Sequence, residues 1–263
     1  MICKSYPSLA GYILLPIQEL NNSLGHLFSK PPEFILNRKL SSFTALAALV
    51  IAFSSFQASA ALVVGGTRLV YDGSKKEASI SVRNPDNTPY LVQTVIDNLE
   101  TNPNKTPFMV TPPLYRLDGG KENLMRIILT DNLPQDKESM YWLRVKGIPS
   151  APRGKNTLQI AIATSIKLIY RPATLKGIDV EKETSKLIWK ISGTQLQVTN
   201  NSPCFINFND ITVAGKKLSN VSYVAPGTST HFALPAGTAA GTVQYTVISD
   251  FGAVGSPHSV SIN

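Results

Sequence analysis

The sequence predicts an all-β protein built as two immunoglobulin-like sandwiches. Three observations predict it. From Leu62 onward, β-prone runs alternate with turn clusters and no convincing amphipathic helix emerges. The runs fall into two series that part at Arg171-Pro172-Ala173, where a proline interrupts strand pairing. The 263 residues, 43% hydrophobic and 16% charged with 18 Pro and 17 Gly, suit a turn-rich chain large enough for one big or two small domains.

Ahead of the first strand, Asn37-Arg38-Lys39 precedes an apolar run from Phe43 to Phe53 and then Gln57-Ala58-Ser59-Ala60. A basic head, a short apolar stretch and a small-residue exit describe a secretory signal peptide, with cleavage expected after Ala60. The run is too short to span a bilayer comfortably. Residues 1–36 sit upstream of the usual signal architecture, and no Met intervenes before Met109, so a translation start near Leu36 is one expectation.

The first series has candidate strands at Leu62 to Tyr71, Glu77 to Asn84, Tyr90 to Leu99, Tyr115 to Leu117, Leu124 to Leu129, Ser139 to Ile148 and Leu158 to Tyr170. Asn84-Pro85-Asp86-Asn87, Thr101 to Asn104, Asp118-Gly119-Gly120 and Pro149 to Gly154 separate them and are chemically suited to turning. Seven strands is the count of an immunoglobulin-like sandwich. The second series runs through Leu187 to Ile191, Gln195 to Thr199, Phe205 to Val213, Thr230 to Ala233, Thr242 to Ser249 and Ser259 to Ile262. The expected divisions are 1–60, 61–172 and 173–263.

The segment Asn156 to Pro172 is the most informative. Leu158, Ile160, Ile162, Thr164, Ile166, Leu168 and Tyr170 share one face of an extended chain, and Lys167 looks the other way. A strand of this length is either central in a sandwich or paired with a partner, because an apolar edge left in water recruits other chains.

Composition removes several function classes. The net charge is +8 and stays moderately basic without residues 1–60, but the cations are dispersed and no nucleic-acid module appears. Cys3 and Cys204 are the two cysteines, and loss of the first 60 residues leaves one thiol and no internal disulfide. His231 and His258 follow the expected cleavage point, with no metal-ligand spacing, no Gly-x-Ser-x-Gly elbow and no phosphate loop. Neither an enzyme nor a metal, cofactor or small-molecule site is expected.

Six stretches in order, behind a signal peptide, carry a family resemblance: Gly66 to Tyr71, Val110 to Pro113, Leu133 to Ser139, Ile148 to Ser150, Asn156 to Pro172, and Ser249 to Gly252. They resemble the periplasmic pilus-assembly chaperones of the chaperone-usher pathway, over essentially the whole chain after residue 60. The resemblance implies two sandwiches in an L-shaped, boomerang arrangement. It implies that Arg68 and Lys167 grip the C-terminal carboxylate of a pilus subunit, while Leu158, Ile160 and Ile162 fill the groove of an incomplete subunit sandwich by donor-strand complementation. Burying three aliphatic side chains at roughly 1.5–3 kcal/mol each outweighs a charge-assisted hydrogen bond at about 1.5–3. The apolar row should therefore supply most of the affinity and the cations the register, since a one-residue slip turns every side chain to the wrong face.

The resemblance also implies an interdomain salt bridge of Glu138, Arg171 and Asp250, and a surface of Leu91, Gln93, Thr111, Pro112, Pro113 and Arg126 that docks on an outer-membrane usher. It leaves open whether the free chaperone caps its exposed edge as a dimer. The short connection from Pro149 to Asn156 resembles the short-loop subgroup, which assembles rod-like pili. Two positions depart from the family: Arg144 stands where an Asn is usual, and Cys204 where an aromatic residue is common. The alternative reading is a secreted immunoglobulin-like adhesin or fimbrial structural subunit, which would characteristically lack the final strand and hold a disulfide.

Overall fold

The computed structural model describes residues 62–99, 106–150, 159–238 and 240–262. The signal-peptide segment, the exit at Ala60, most of the loop before the long strand, and Leu158 lie outside the described residues.

Among the described residues seventeen strands, numbered in chain order, form four sheets. The first sandwich packs a four-stranded sheet, β1 (Val63–Val64), β3 (Glu77–Arg83), β7 (Glu122–Leu129) and β5 (Phe108–Thr111), on a five-stranded one. The latter runs β2 (Arg68–Asp72), β9 (Ile162–Arg171), β8 (Ser139–Pro149), β4 (Tyr90–Asn98) and β6 (Leu114–Leu117). Alternation sets the faces: Val92, Thr94 and Ile96 of β4 point inward while Leu91, Gln93 and Val95 point out. The inward rows enclose Tyr71, Val82, Met125, Ile127, Leu143, Leu168 and Tyr170 in one core. Fully burying each aliphatic there is worth about 1.5–3 kcal/mol.

The segment expected as one strand from Leu62 to Tyr71 is two. Val63 and Val64 pair antiparallel with β3, and Arg68 to Asp72 pair in parallel with β9 in the opposite sheet. Gly65 permits the switch: its N–H donates to the Ser81 carbonyl at 2.9 Å, and a Cβ there would lie 2.5 Å from Ser81 Oγ. Strand β5 was not expected either. It is four residues long and ends at Pro112 and Pro113, where the chain crosses to β6.

The second sandwich sets β10 (Leu187–Ser192), β11 (Gln195–Asn200) and β15 (Ser229–Ala233) against a five-stranded sheet. In that sheet β12 (Ile206–Val213) joins β13 (Lys216–Lys217), β14 (Tyr223–Val224) and β16 (Gly241–Val247), and β17 (His258–Ile262) pairs with β16. Trp189, Leu196, Ile206, Phe208, Ile211, Phe232, Val243 and Val247 fill its core. A single helical turn, α1 (Val180–Glu183), capped by the Asp179 carboxylate on the Glu181 N–H, is the one α-helix among the described residues. Between the sandwiches lies a third cluster of Met140, Ile169 and Phe205, each nearly inaccessible to solvent.

Candidate functional site: a cationic clamp beside an open strand edge

Strand β9 serves three surroundings in turn. Its even residues Ile166, Leu168 and Tyr170 enter the first core, and its odd residues Ile169 and Arg171 enter the junction with the second sandwich. Toward its N-terminal end the same even row continues beyond the core, so Ile162 is 51% and Ile160 64% exposed. Residue Ile160 precedes the first strand residue, and Leu158 is outside the described residues.

The edges of β9 are unequal. Strand β8 covers it from Ile162 to Tyr170, whereas β2 pairs only from Lys167 to Arg171. Among the described residues no strand lies along the other edge of Ile162–Ile166. That stretch offers unpaired backbone donors and acceptors beside two exposed isoleucines, the arrangement that admits an added strand.

Two cations stand where the open edge begins. Arg68 and Lys167 are directly opposite one another in the parallel ladder. Lys167 Nζ donates to Asn207 Oδ1 at 2.5 Å and lies 5.1 Å from the centre of the Tyr223 ring. Arg68 Nη1 donates to the Ile248 carbonyl at 3.1 Å, and its buried Nε has no acceptor among the described residues. Burial lowers the Arg68 guanidinium from its ordinary value, against the attraction of Asp250. Burial, with repulsion from Arg68, pushes the Lys167 ammonium down to about 8. Two like charges are gathered here in a half-buried cleft, an arrangement whose electrostatics favour an anion. Gly252, at a φ of 83°, lets the Ser249 to Gly252 turn close on Thr67 beside the clamp.

The Lys167 shift has a stability consequence. Between about pH 8 and its ordinary value of 10.5, the unfolded chain holds a proton on this lysine that the folded chain has lost. Stability attributable to Lys167 therefore rises with pH across that window. Urea titrations of wild type and Lys167→Met at pH 7.5 and 10 should show the stability difference between them move in the wild type's favour at the higher pH.

The junction carries the ion network that the resemblance implies. Arg171 Nε donates to Glu138 Oε1 at 2.7 Å, and its two terminal nitrogens grip Asp250 at 2.6 and 2.8 Å. Glu138 Oε2 accepts the Phe205 N–H at 2.8 Å. Burial raises the Glu138 carboxyl against the attraction of Arg171. For Arg171, burial is outweighed by the hydrogen bonds and charges of Asp250 and Glu138, which raise it. With both Glu138 oxygens accepting from N–H donors, the geometry is that of an ionised triad.

The remaining sequence-expected residues divide between the two sheets of the first sandwich. Leu91 and Gln93 are exposed on β4, and Thr111 and Arg126 are cross-strand partners on β5 and β7. The Thr111–Pro112 bond is cis, and the Pro113 carbonyl accepts the Thr94 N–H at 2.8 Å, tying the chain between the sheets to β4. Arg144 Nη2 pairs with Asp97 at 3.3 Å on the exposed face. Cys204 is fully buried, and burial, with the nearby Glu138 charge, pushes its thiol up to about 12. Among the described residues no cluster of three His, Cys, Asp or Glu side chains could hold a metal.

Asn207, Tyr223 and the Ile248 carbonyl were not singled out in the sequence. They lie 40 or more residues from the cations they touch, and no local pattern links them.

The chain is similar to known proteins along both sandwiches. Residues 61–176 match the N-terminal domain of the PapD-type pili and flagellar-assembly chaperones, and residues 182–259 match the PapD C-terminal domain. The chaperone protein LpfB of Salmonella typhimurium is 41% identical over 235 residues, covering 87% of this chain and all of that protein. FimC of Escherichia coli K12 is 36% identical, covering 75% of this chain and 83% of its own. Among solved structures, the E. coli chaperone DraB superposes with a TM-score of 0.70 at 35% identity, over 77% of this chain and 97% of that one. The SafB chaperone of Salmonella enterica, solved in complex with the SafA pilin, gives a TM-score of 0.71 at 32% identity, over 77% and 96%.

Proposed function

Because the chain belongs to the PapD-type family of pilus-assembly chaperones, we propose that it works in the periplasm, exported by the signal peptide in residues 1–60, where it binds and folds pilus subunits and caps them by lending a strand. The division of labour follows the chemistry of each part. The open edge of Ile162–Ile166 pairs with the subunit backbone, and Leu158, Ile160 and Ile162 fill the groove left by the subunit's missing strand. Arg68 and Lys167 receive the terminal carboxylate and so set the register of that pairing. Residues 61–172 and 173–263 act as the two domains, with Glu138, Arg171 and Asp250 holding their junction. The surface of Leu91, Gln93, Thr111, Pro112, Pro113 and Arg126 presents the loaded chaperone to the outer-membrane usher. The subunit supplies the free energy of assembly by completing its own fold, without nucleotide or cofactor, and the free chaperone caps its edge by pairing with a second copy.

One observation carries this reading. A strand that is buried at one end leaves the other end with an unpaired edge and two exposed isoleucines, and a pair of cations marks where the exposed part starts. An exposed apolar edge is an aggregation hazard unless it has an occupant.

The test is recovery of subunits from the periplasm on tagged chaperone. Arg68→Ala and Lys167→Ala should fold as wild type by circular dichroism and retain little or no subunit. Normal recovery from both would contradict the clamp. Binding should also depend on pH. The carboxylate is held best by the charged ammonium, so affinity should be level below about pH 8 and fall as pH rises above it, with a proton taken up on binding.

A further inference from the structure

We propose that Asn207 is a positioning residue of the clamp: its side-chain oxygen reaches across the domain junction and holds the Lys167 ammonium in place for an incoming carboxylate. The proposal rests on the reading of Arg68 and Lys167 as a carboxylate receptor.

Strand β12 explains why this asparagine is buried. Ile206 and Phe208 point into the second core, so Asn207 and Phe205 point the other way, at the first sandwich. Asn207 is 1% exposed because that neighbour covers it. Its Nδ2 donates, at 3.5 Å, to the Phe205 carbonyl, leaving Oδ1 to face Lys167.

The same backbone rung also serves the second cation. The Asn207 carbonyl accepts the Ile248 N–H at 2.8 Å, and the Ile248 carbonyl accepts Arg68 Nη1. On its other side, Asn207 is in register with Tyr223, whose ring lies beneath Lys167. Tyr223 on β14, Asn207 on β12 and Ile248, the residue that follows β16, therefore form one row across the second sandwich. The first sandwich supplies both charges, and this row supplies the acceptors and the ring that hold them. The charged groups around Lys167 are Arg68 directly opposite and Asp250, which acts on Arg68.

An amide suits this task. A lysine on a four-carbon stem has three donors and considerable rotamer freedom. One hydrogen bond to a neutral oxygen fixes the ammonium while leaving its charge and two donors for the ligand, which lowers the ordering cost of capture. A carboxylate in the same place would neutralise the cation and compete with the ligand. The arrangement also makes presentation of the cation depend on docked domains.

The test uses the full chain after residue 60 and two fluorescent peptides of alternating valine and threonine, one ending in a free carboxylate and one amidated. Wild type should prefer the free acid by about tenfold or more, the lower end of the value of one charge-assisted hydrogen bond. Asn207→Ala and Asn207→Asp should each reduce that preference to about threefold or less, with the amidated peptide bound as by wild type. The isosteric aspartate retains the packing should alanine loosen the fold. In the free protein, the NMR titration midpoint of Lys167 Cε should lie near about 8 and rise in Asn207→Asp. A merely structural asparagine would weaken both peptides equally, or neither, and that result would overturn the proposal, as would an unmoved Lys167 midpoint. Lys167→Ala is the control. If it too keeps the wild-type preference, the clamp itself is wrong, whereas if only the Asn207 variants keep it, the error lies in the role given to Asn207.

Discussion

Arg171→Ala is expected to lower stability by about 3–5 kcal/mol, the usual cost of stranding one partner of a buried ion pair. Glu138 is 3% and Arg171 8% exposed, and Arg171 is the bond between a carboxylate of the first sandwich and one of the second. Without it, Glu138 keeps only the Phe205 N–H, in a place where burial already raises its carboxyl. The stranded acid will then hold a proton in the folded chain at a pH where the unfolded chain has released it. Stability of the variant should fall as pH rises through the carboxylate range, so the deficit is largest near neutrality and shrinks on acidification. Urea unfolding of both proteins from pH 4 to 7.5 measures it. A pH-independent deficit would show that Glu138 is not the group left behind. Because the clamp cations of one sandwich are held by acceptors on the other, the same variant should retain fewer subunits at a pH where it is still folded.

The double change Ile160→Asp with Ile162→Asp is expected to do the reverse, abolishing subunit capture while sparing the fold. Both side chains are more than half exposed in the free chain. Exposed substitutions of this kind usually move stability by no more than about 0.5 kcal/mol. Each isoleucine buried in a subunit groove is worth about 1.5–3 kcal/mol, so losing the pair costs roughly 3–6, equivalent to about two to four decades of affinity. Placing two carboxylates in an apolar groove adds a desolvation penalty. Periplasmic co-purification should recover the variant without subunit and with an unchanged melting temperature. Retained subunit would mean that this row does not enter the client.

Some of this was legible in the chain and some was not, for physical reasons. The period-two pattern of Leu158 to Tyr170 marks a strand and sets Lys167 on the opposite face, because alternation is a local property of extended backbone, but β9 itself begins only at Ile162. It did not reveal that the same row is core at Leu168 and solvent at Ile162, which depends on where β2 begins. The run from Leu62 to Tyr71 reads as one strand because both halves are β-prone, and Gly65-Gly66 marks the crossing between sheets only once the partners are known. Glu138, Arg171 and Asp250 were named through the family resemblance, and the hydrogen bonds among them span 33 and 79 residues. Asn207 had no such guide. It sits in a strand pattern as one more polar residue, and its meaning comes from a lysine on the other sandwich.

The central claim is that the uncovered edge of Ile162–Ile166 receives a client strand. Hydrogen–deuterium exchange of the segment from Gln159 to Lys167, with and without bound pilus subunit, tests it most directly. Amides on the edge away from β8 should exchange readily in the monomeric free chaperone and become protected in the complex, with the protection starting beside Lys167 and extending toward Ile160. Unchanged exchange along this edge in a chaperone carrying a bound subunit would contradict the account.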